Sequence, residues 1–324
     1  MPSKMEMSAD VRGLLPVAVK TLLGRTELPF DLYVWRLKNS MPRLYREKKV
    51  PVELADFQRL LDQGVRTLYT RSSEAQQYCE YVRRHVLADE AIPVKDRYGA
   101  LREATRTVLM ASLEKGDVDG LLNVSADVGQ DLVTLVSDRK NVFSDLLGVM
   151  THDYSTFTHI INTCTCCVVL AEAYGIHNRA QLMEIAQGAL LHDVGKRFIS
   201  ADLLNKATPL TQEEYHLIRQ HPARGFEELC LRGDLVWGQL MMIYQHHERF
   251  NGRGYPVGLV GNEIHEWARL CTVADVYDAL TRDRAYHKGA DAKCAMEYLD
   301  RESGRSFDRE LCRCWIAILQ QRQP

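Results

Sequence analysis

The feature that most restricts the fold of this chain is a change in hydrophobic periodicity near Glu74. Beyond that residue strand signals almost vanish, and apolar residues recur at helical spacing over residues 98–113, 120–136 and 182–191. With 324 residues, the chain is long enough for two domains that each have a core. The longer, later part is therefore predicted to be a helical bundle.

The chain before Glu74 has a different pattern. Residues 28–37, LPFDLYVWRL, place apolar and aromatic side chains at nearly alternate positions, and residues 64–69 read as a short strand after an amphipathic run. These signals predict a small α+β accessory or sensory domain. The expected organisation is this domain at residues 13–72, a helical linker region at 73–140 and the helical domain at 141–324, so the fold class is mainly α.

Composition excludes several classes of function. A formal net charge of -2 argues against binding to a nucleic acid polymer, which requires a basic surface. No apolar run approaches the ~20 residues of a membrane span, and the opening MPSKMEMSADVR lacks a signal-peptide core. We therefore expect a cytoplasmic protein without a membrane segment.

Cysteine usage indicates reduced thiols. The chain has nine cysteines, an odd number, without a disulfide framework. The run CTCC at residues 164–167 is followed by VVLA, which is typical of a buried helix. We expect these cysteines to lie in the core, and no chemistry is assigned to them.

Histidines and aspartates form an ordered series in the helical part of the chain. Side chains of this kind on the helices of a bundle can point inwards and build a binuclear metal site. Each member also has an ordinary alternative, such as a core histidine, a capping residue or a surface charge, but the full set would require many coincidences. Imidazole and carboxylate ligands suit iron, manganese or zinc. The series, which predicts two divalent ions, is His159, His192, Asp193, His221, His246, His247 and Asp275.

A segment of helix breakers follows the paired histidines. Residues 251–256, NGRGYP, must end the helix, and their glycines allow the backbone to approach a ligand closely. His246 and His247 are neighbours about 100° apart on that helix. They can therefore turn towards two different ions.

These residues stand in a series of motifs that resembles the HD-GYP family of HD-superfamily phosphohydrolases. The resemblance covers about residues 141–288 and implies a bacterial signalling enzyme that hydrolyses cyclic di-GMP. It also implies that the bundle is of the HD type. The motifs are HDYSTFTHIIN (152–162), LLHDVGK (190–196), LLNKATPLTQEEY (203–215), HPARG (221–225), HHERFNGRGYPVGLVGNEI (246–264) and ADVYDALTRDRAYHK (274–288).

The resemblance implies roles for individual residues. The seven histidines and aspartates take the metal-ligand positions, with Asp193 bridging two ions that are iron or manganese. Ser155 stands where some family members have a glutamate for a third ion, so we expect two ions. The implied catalytic residues are Asp193, Lys196 and Asp278, and the implied substrate-binding residues are Lys196, Arg253, Tyr255, Asp278, Arg284 and Lys288.

The expected reaction is metal-dependent hydrolysis of a phosphodiester in cyclic di-GMP by a hydroxide that two ions activate. The product is linear pGpG, GMP or both. Three alternatives stay open: a hydrolase of another nucleotide, a catalytically weak nucleotide receptor that acts through a signalling partner protein, and a helical interaction module. The amphipathic stretches in residues 74–136 are also compatible with a homodimer.

Overall fold

The computed structural model describes residues 13–22, 27–35, 41–137, 146, 150, 156–204, 206, 208–282 and 289–321. The chain divides into two compact units between Val124 and Ser125. The division falls inside a single helix, Val118–Ser137.

The first unit contains a four-stranded antiparallel sheet with the strand order β1-β4-β2-β3. In the register, Leu15 lies opposite Thr70, and Tyr33 lies opposite both Leu44 and Tyr69. The small α+β fold predicted for this part of the chain is confirmed. The strands are β1 (Leu14–Ala18), β2 (Leu32–Val34), β3 (Arg43–Arg46) and β4 (Thr67–Arg71).

Helices also contribute buried residues to the core of the first unit. Phe30 packs edge-on against Tyr78 and Tyr81, with ring centroids 5.5 and 5.7 Å apart. Ala100 is buried in the same cluster, so residues of the predicted linker region contribute to this core. The helices are α1 (Leu54–Asp62), α2 (Ala75–Val82), a π turn (Arg83–Leu87), α3 (Val94–Lys115) and the start of α4 (Val118–Ser137).

The second unit is helical, as the periodicity predicts. α5 packs against α6 and α11, and α10 packs against α6, α9 and α11. Two 3-10 turns, Val194–Phe198 and Gly261–Glu263, interrupt the series. The helices are α5 (Thr156–Tyr174), α6 (Arg179–Leu191), α7 (Ala201–Leu204), α8 (Gln212–Ile218), α9 (His221–Leu229), α10 (Trp237–Gln245), α11 (Glu266–Thr281), α12 (Ala292–Glu302) and α13 (Arg309–Gln320).

All nine cysteines are free thiols. Cys164, Cys166 and Cys167 lie on α5 and are fully buried, as expected. Burial raises the pKa of each of these thiols, so they remain protonated core side chains. None of the helices in the described ranges has both the length and the apolar character needed to cross a membrane.

Candidate metal centre

The seven predicted metal ligands come together in the second unit as two clusters. Within each cluster, one ligand atom from every residue lies within 4.8 Å of the others. Most of these side chains are buried, with His247 half-buried. Cluster 1 is Asp193, His221, His246 and His247, and cluster 2 is His159, His192 and Asp275.

Helix ends and one close backbone contact position these ligands. His192 and Asp193 follow the last residue of α6, and His221 is the first residue of α9. A Cβ atom on Gly195 would lie 1.9 Å from the carbonyl oxygen of His221. Only glycine therefore lets the turn after Asp193 approach the start of α9 this closely.

Asp193 lies between the clusters. Its Oδ1 is 3.2 Å from His221 Nε2 and 3.8 Å from His246 Nε2. Its Oδ2 is 3.4 Å from His192 Nε2 and 4.0 Å from His159 Nε2. The two oxygens of one carboxylate thus face different clusters.

Backbone carbonyls orient three of the imidazoles. The Nδ1 atoms of His192 and His221 lie 2.6 and 2.8 Å from the carbonyl oxygens of Ala189 and Ile218. His246 Nδ1 is 3.0 Å from the oxygen of Met242. Because a carbonyl only accepts hydrogen bonds, Nδ1 must carry the proton in each ring. In the neutral rings each Nε2 then presents a lone pair to the clusters.

The resulting donor set fits a divalent cation. His221 Nε2 and His246 Nε2 are 3.2 Å apart, and two lone pairs at that distance repel unless a cation lies between them. One ion about 2.1 Å from each nitrogen would hold two ligands at this spacing. His192 Nε2 and Asp193 Oδ1 are also buried without a hydrogen-bond partner, as unfilled ligand positions would be.

Charge supports the same conclusion. Burial raises the pKa of Asp193, but Lys196 and then His192 outweigh it, and the pKa lies well below its usual value. Burial likewise opposes ionisation of Asp275, and its contact with His159 lowers the pKa overall. Both carboxylates are therefore ionised and offer negative charge to a cation. The buried histidine and aspartate cluster binds a divalent metal.

Lys196 lies at this centre. Its ammonium nitrogen is 2.5 Å from Asp193 Oδ2, and both residues belong to the turn that follows α6. The side chain is half-buried, with 29% of it exposed. Its predicted contact with the substrate stays a prediction.

Asp278 makes two buried hydrogen bonds behind cluster 2. Its Oδ2 is 2.6 Å from His159 Nδ1, and its Oδ1 accepts a 2.9 Å hydrogen bond from Asn162 Nδ2. Asn162 was not among the residues predicted from the sequence, although it lies one helical turn after His159 on α5. The roles predicted for Asp278 in catalysis and substrate binding are untested, and in the structure it orients the ring of His159, a predicted metal ligand.

The segment of helix breakers forms a loop beside cluster 1. Tyr255 stacks on His247, with ring centroids 4.8 Å apart and 29° between the planes. The guanidinium carbon of Arg219 lies 4.4 Å from the centre of the same ring. The ring of Tyr255 thus contacts both His247 and Arg219, and the expected contact with a guanine stays a prediction.

Glu248 holds this loop, and sequence analysis missed it too. The side chain is buried and accepts hydrogen bonds from the backbone N–H groups of Val257, Gly258 and Leu259 at 2.7–3.1 Å. The sequence feature that could have identified Glu248 is its position directly after His247 and just before the loop. Gly252 and Gly258 have φ values of 73° and 86°, so these turns favour glycine.

Of the remaining residues predicted for the site, the structure describes only Arg253. Arg253 is exposed in the loop, where its backbone N–H donates to the side chain of Asn251. Arg284, Lys288 and Ser155 lie outside the described residues.

Comparisons with known proteins agree with this centre. A family model for the HD domain matches residues 151–311. The cyclic di-GMP phosphodiesterase PA4108 of Pseudomonas aeruginosa is 31% identical over 281 residues, which are 81% of this chain and 67% of that protein. The 3′3′-cGAMP-specific phosphodiesterase 1 of Vibrio cholerae is 34% identical over 134 residues, which are 40% of this chain and 30% of that protein.

A solved structure shows the same fold. Bd1817, an HDG"Y"P protein from Bdellovibrio bacteriovorus, matches with a TM-score of 0.68. The match covers 95% of this chain and 99% of that chain at 21% sequence identity. At this identity the likeness is one of fold.

Proposed function

The chain belongs to the HD-GYP family of HD-domain proteins and is a phosphodiesterase, and from that premise we propose that it hydrolyses cyclic di-GMP at clusters 1 and 2. The observation that carries the proposal is the carboxylate of Asp193, whose two oxygens face different clusters. A bridging carboxylate is the expected ligand of two neighbouring ions. The proposed centre is therefore binuclear.

The proposed ions are iron or manganese, which the family resemblance favours and with which the donor set is compatible. Clusters 1 and 2 together offer five imidazoles and two carboxylates and contain no thiolate, and such ligands suit these metals. Two bound ions would supply an activated water and neutralise charge on the phosphoryl oxygens. Cluster 1 would hold one ion and cluster 2 the other.

The chain's own residues orient this chemistry. Lys196 is close enough to Asp193 to donate to a phosphate oxygen at the centre, where its charge would stabilise the transition state. Asp278 and the backbone carbonyls keep the imidazole Nε2 atoms directed at the ions. The loop of residues 251–256 borders the same centre through Tyr255. The proposed products are linear pGpG, GMP or both.

The test is purification under anaerobic conditions with iron or manganese supplied, followed by elemental analysis and incubation with cyclic di-GMP. We expect two ions per chain and metal-dependent cleavage, with products separated by chromatography. Asp193→Ala should lose both ions because the two oxygens of that carboxylate face different clusters, whereas Asp202→Ala, an exposed matched control, should keep them. Two ions with nucleotide binding but no cleavage would favour a receptor, and absence of metal would refute the proposal.

A second substrate has a specific observation behind it. The relative from Vibrio cholerae is named for 3′3′-cGAMP, which differs from cyclic di-GMP in one base. The ratio of kcat/KM values for the two dinucleotides decides between them. A ratio in favour of 3′3′-cGAMP would replace cyclic di-GMP as the substrate without changing the metal chemistry.

A further inference from the structure

Arg219 has no role in the metal centre, yet it lies beside it. The residue follows the last residue of α8 and precedes His221 by two positions. Its guanidinium carbon is 4.4 Å from the ring centre of Tyr255 and 5.9 Å from that of Tyr215. The side chain is half-buried, so the guanidinium packs against the protein and does not extend fully into solvent.

No carboxylate in the described part of the chain neutralises this arginine. Its side-chain contacts there are the two aromatic rings, and its guanidinium donates no hydrogen bond to another described residue. By contrast, Arg197 pairs with Glu228 at 2.9 Å, and Arg224 donates to Gln220. A guanidinium whose five N–H donors bind no other described residue is suited to bind a phosphate.

Tyr255 determines where that guanidinium lies. Its ring stacks on His247, a ligand of cluster 1, and the guanidinium of Arg219 lies over the same ring. The backbone N–H of Tyr255 also donates to the carbonyl oxygen of His247 at 3.2 Å. Arg219 is thus held beside the ring that stacks on a ligand of cluster 1, and it forms no ion pair or hydrogen bond with the residues of either cluster, all of which the structure describes.

We propose that Arg219 binds the second phosphate of the cyclic dinucleotide, and that Tyr255 is the positioning residue that holds Arg219 there. A cyclic dinucleotide carries two phosphodiesters, and only one can lie at the ions during hydrolysis. The other needs a cation at a distance, which Arg219 supplies. The inference rests on the proposed function, since it assumes a substrate with two phosphates.

The test compares two substrates of the metal-loaded protein: cyclic di-GMP and bis(4-nitrophenyl) phosphate, which has one phosphodiester. For Arg219→Ala, the ratio of kcat/KM for cyclic di-GMP to kcat/KM for the small diester should fall about 10- to 100-fold, the usual effect of losing a charge-assisted hydrogen bond. Most of the fall should be a rise in KM. Arg219→Lys should recover part of it, and the control Arg224→Ala should keep the wild-type ratio.

A double-mutant cycle tests the role of Tyr255. Because the Tyr255 ring makes both contacts, Tyr255→Leu should lower the ratio of the two substrates. Adding Arg219→Ala to Tyr255→Leu should lower the ratio little further, since the residues act as a unit. Metal content, measured for every variant, should stay at the wild-type value.

Three results would overturn the inference. These are an unchanged ratio in Arg219→Ala, equal losses for both substrates accompanied by loss of metal, and additive effects of the two substitutions. Failure of the proposed function has a different signature. In that case the wild-type protein would cleave bis(4-nitrophenyl) phosphate but not cyclic di-GMP, and the inference would fall with it.

Discussion

Replacing Asp278 by asparagine tests how cluster 2 is held. The carboxylate accepts from His159 Nδ1 with one oxygen and from Asn162 Nδ2 with the other. An amide has only one oxygen, so one of these donors would face an NH2 group. Asn162 cannot resolve the conflict by turning its amide, because its Nδ2 also donates to the carbonyl oxygen of Met150 at 2.9 Å.

The magnitude follows from the role of such a partner. A buried carboxylate that receives the Nδ1 proton of a metal-binding histidine fixes the ring and makes Nε2 a stronger ligand. Its loss lowers metal affinity by about 10- to 100-fold, which corresponds to about 1.4–2.8 kcal/mol. We expect Asp278→Asn to weaken the ion at cluster 2 by this amount and the ion at cluster 1 far less.

The assay is calorimetric titration of the metal-free protein with Mn²⁺, supported by elemental analysis after dialysis. The wild type should bind two ions, the variant should lose affinity in one of the two steps, and Asp202→Asn should behave as the wild type. If Asp278 acts on the substrate instead, the variant will bind both ions with wild-type affinity and show only a lower kcat. That result would refute the reasoning.

Three further predictions concern the same unit. Gly195→Ala should lower the free energy of unfolding, measured by chemical denaturation, by about 1–3 kcal/mol. The reason is that the added Cβ would overlap the carbonyl oxygen of His221. In the control Gly233→Ala the added Cβ meets no atom within 4 Å, so the free energy of unfolding should not change. Glu248→Ala should cost about 3 kcal/mol in the same measurement, because three loop N–H groups lose a buried acceptor. Burial opposes a charge on His192, but the neighbouring carboxylate outweighs it and raises the pKa to about 10. A metal ion must displace this proton, so below pH 10 the affinity of cluster 2 for the ion should rise with pH. A pH-stat should record the proton released on metal binding. An affinity of cluster 2 that does not depend on pH would contradict this prediction.

The residues that form the two clusters could be predicted from the sequence because their chemistry is local. Adjacent pairs such as His192-Asp193 and His246-His247 end helices, and so many imidazoles and carboxylates in one helical bundle indicate a metal centre. Helical periodicity likewise predicted the mainly α fold, since an amphipathic stripe must be buried. The small α+β part followed from alternation over residues 28–37 and 64–69.

Tertiary structure alone decided how these groups are divided and supported. Asn162 and Asp278 are separated by 116 positions in the chain, yet they share a hydrogen bond because α5 packs against α11. The position of Asp193 between the clusters, and of Arg219 beside the ring of Tyr255, depends in the same way on which helices pack together. Periodicity states which face of a helix is buried, but the partner of that face depends on packing between elements far apart in the sequence.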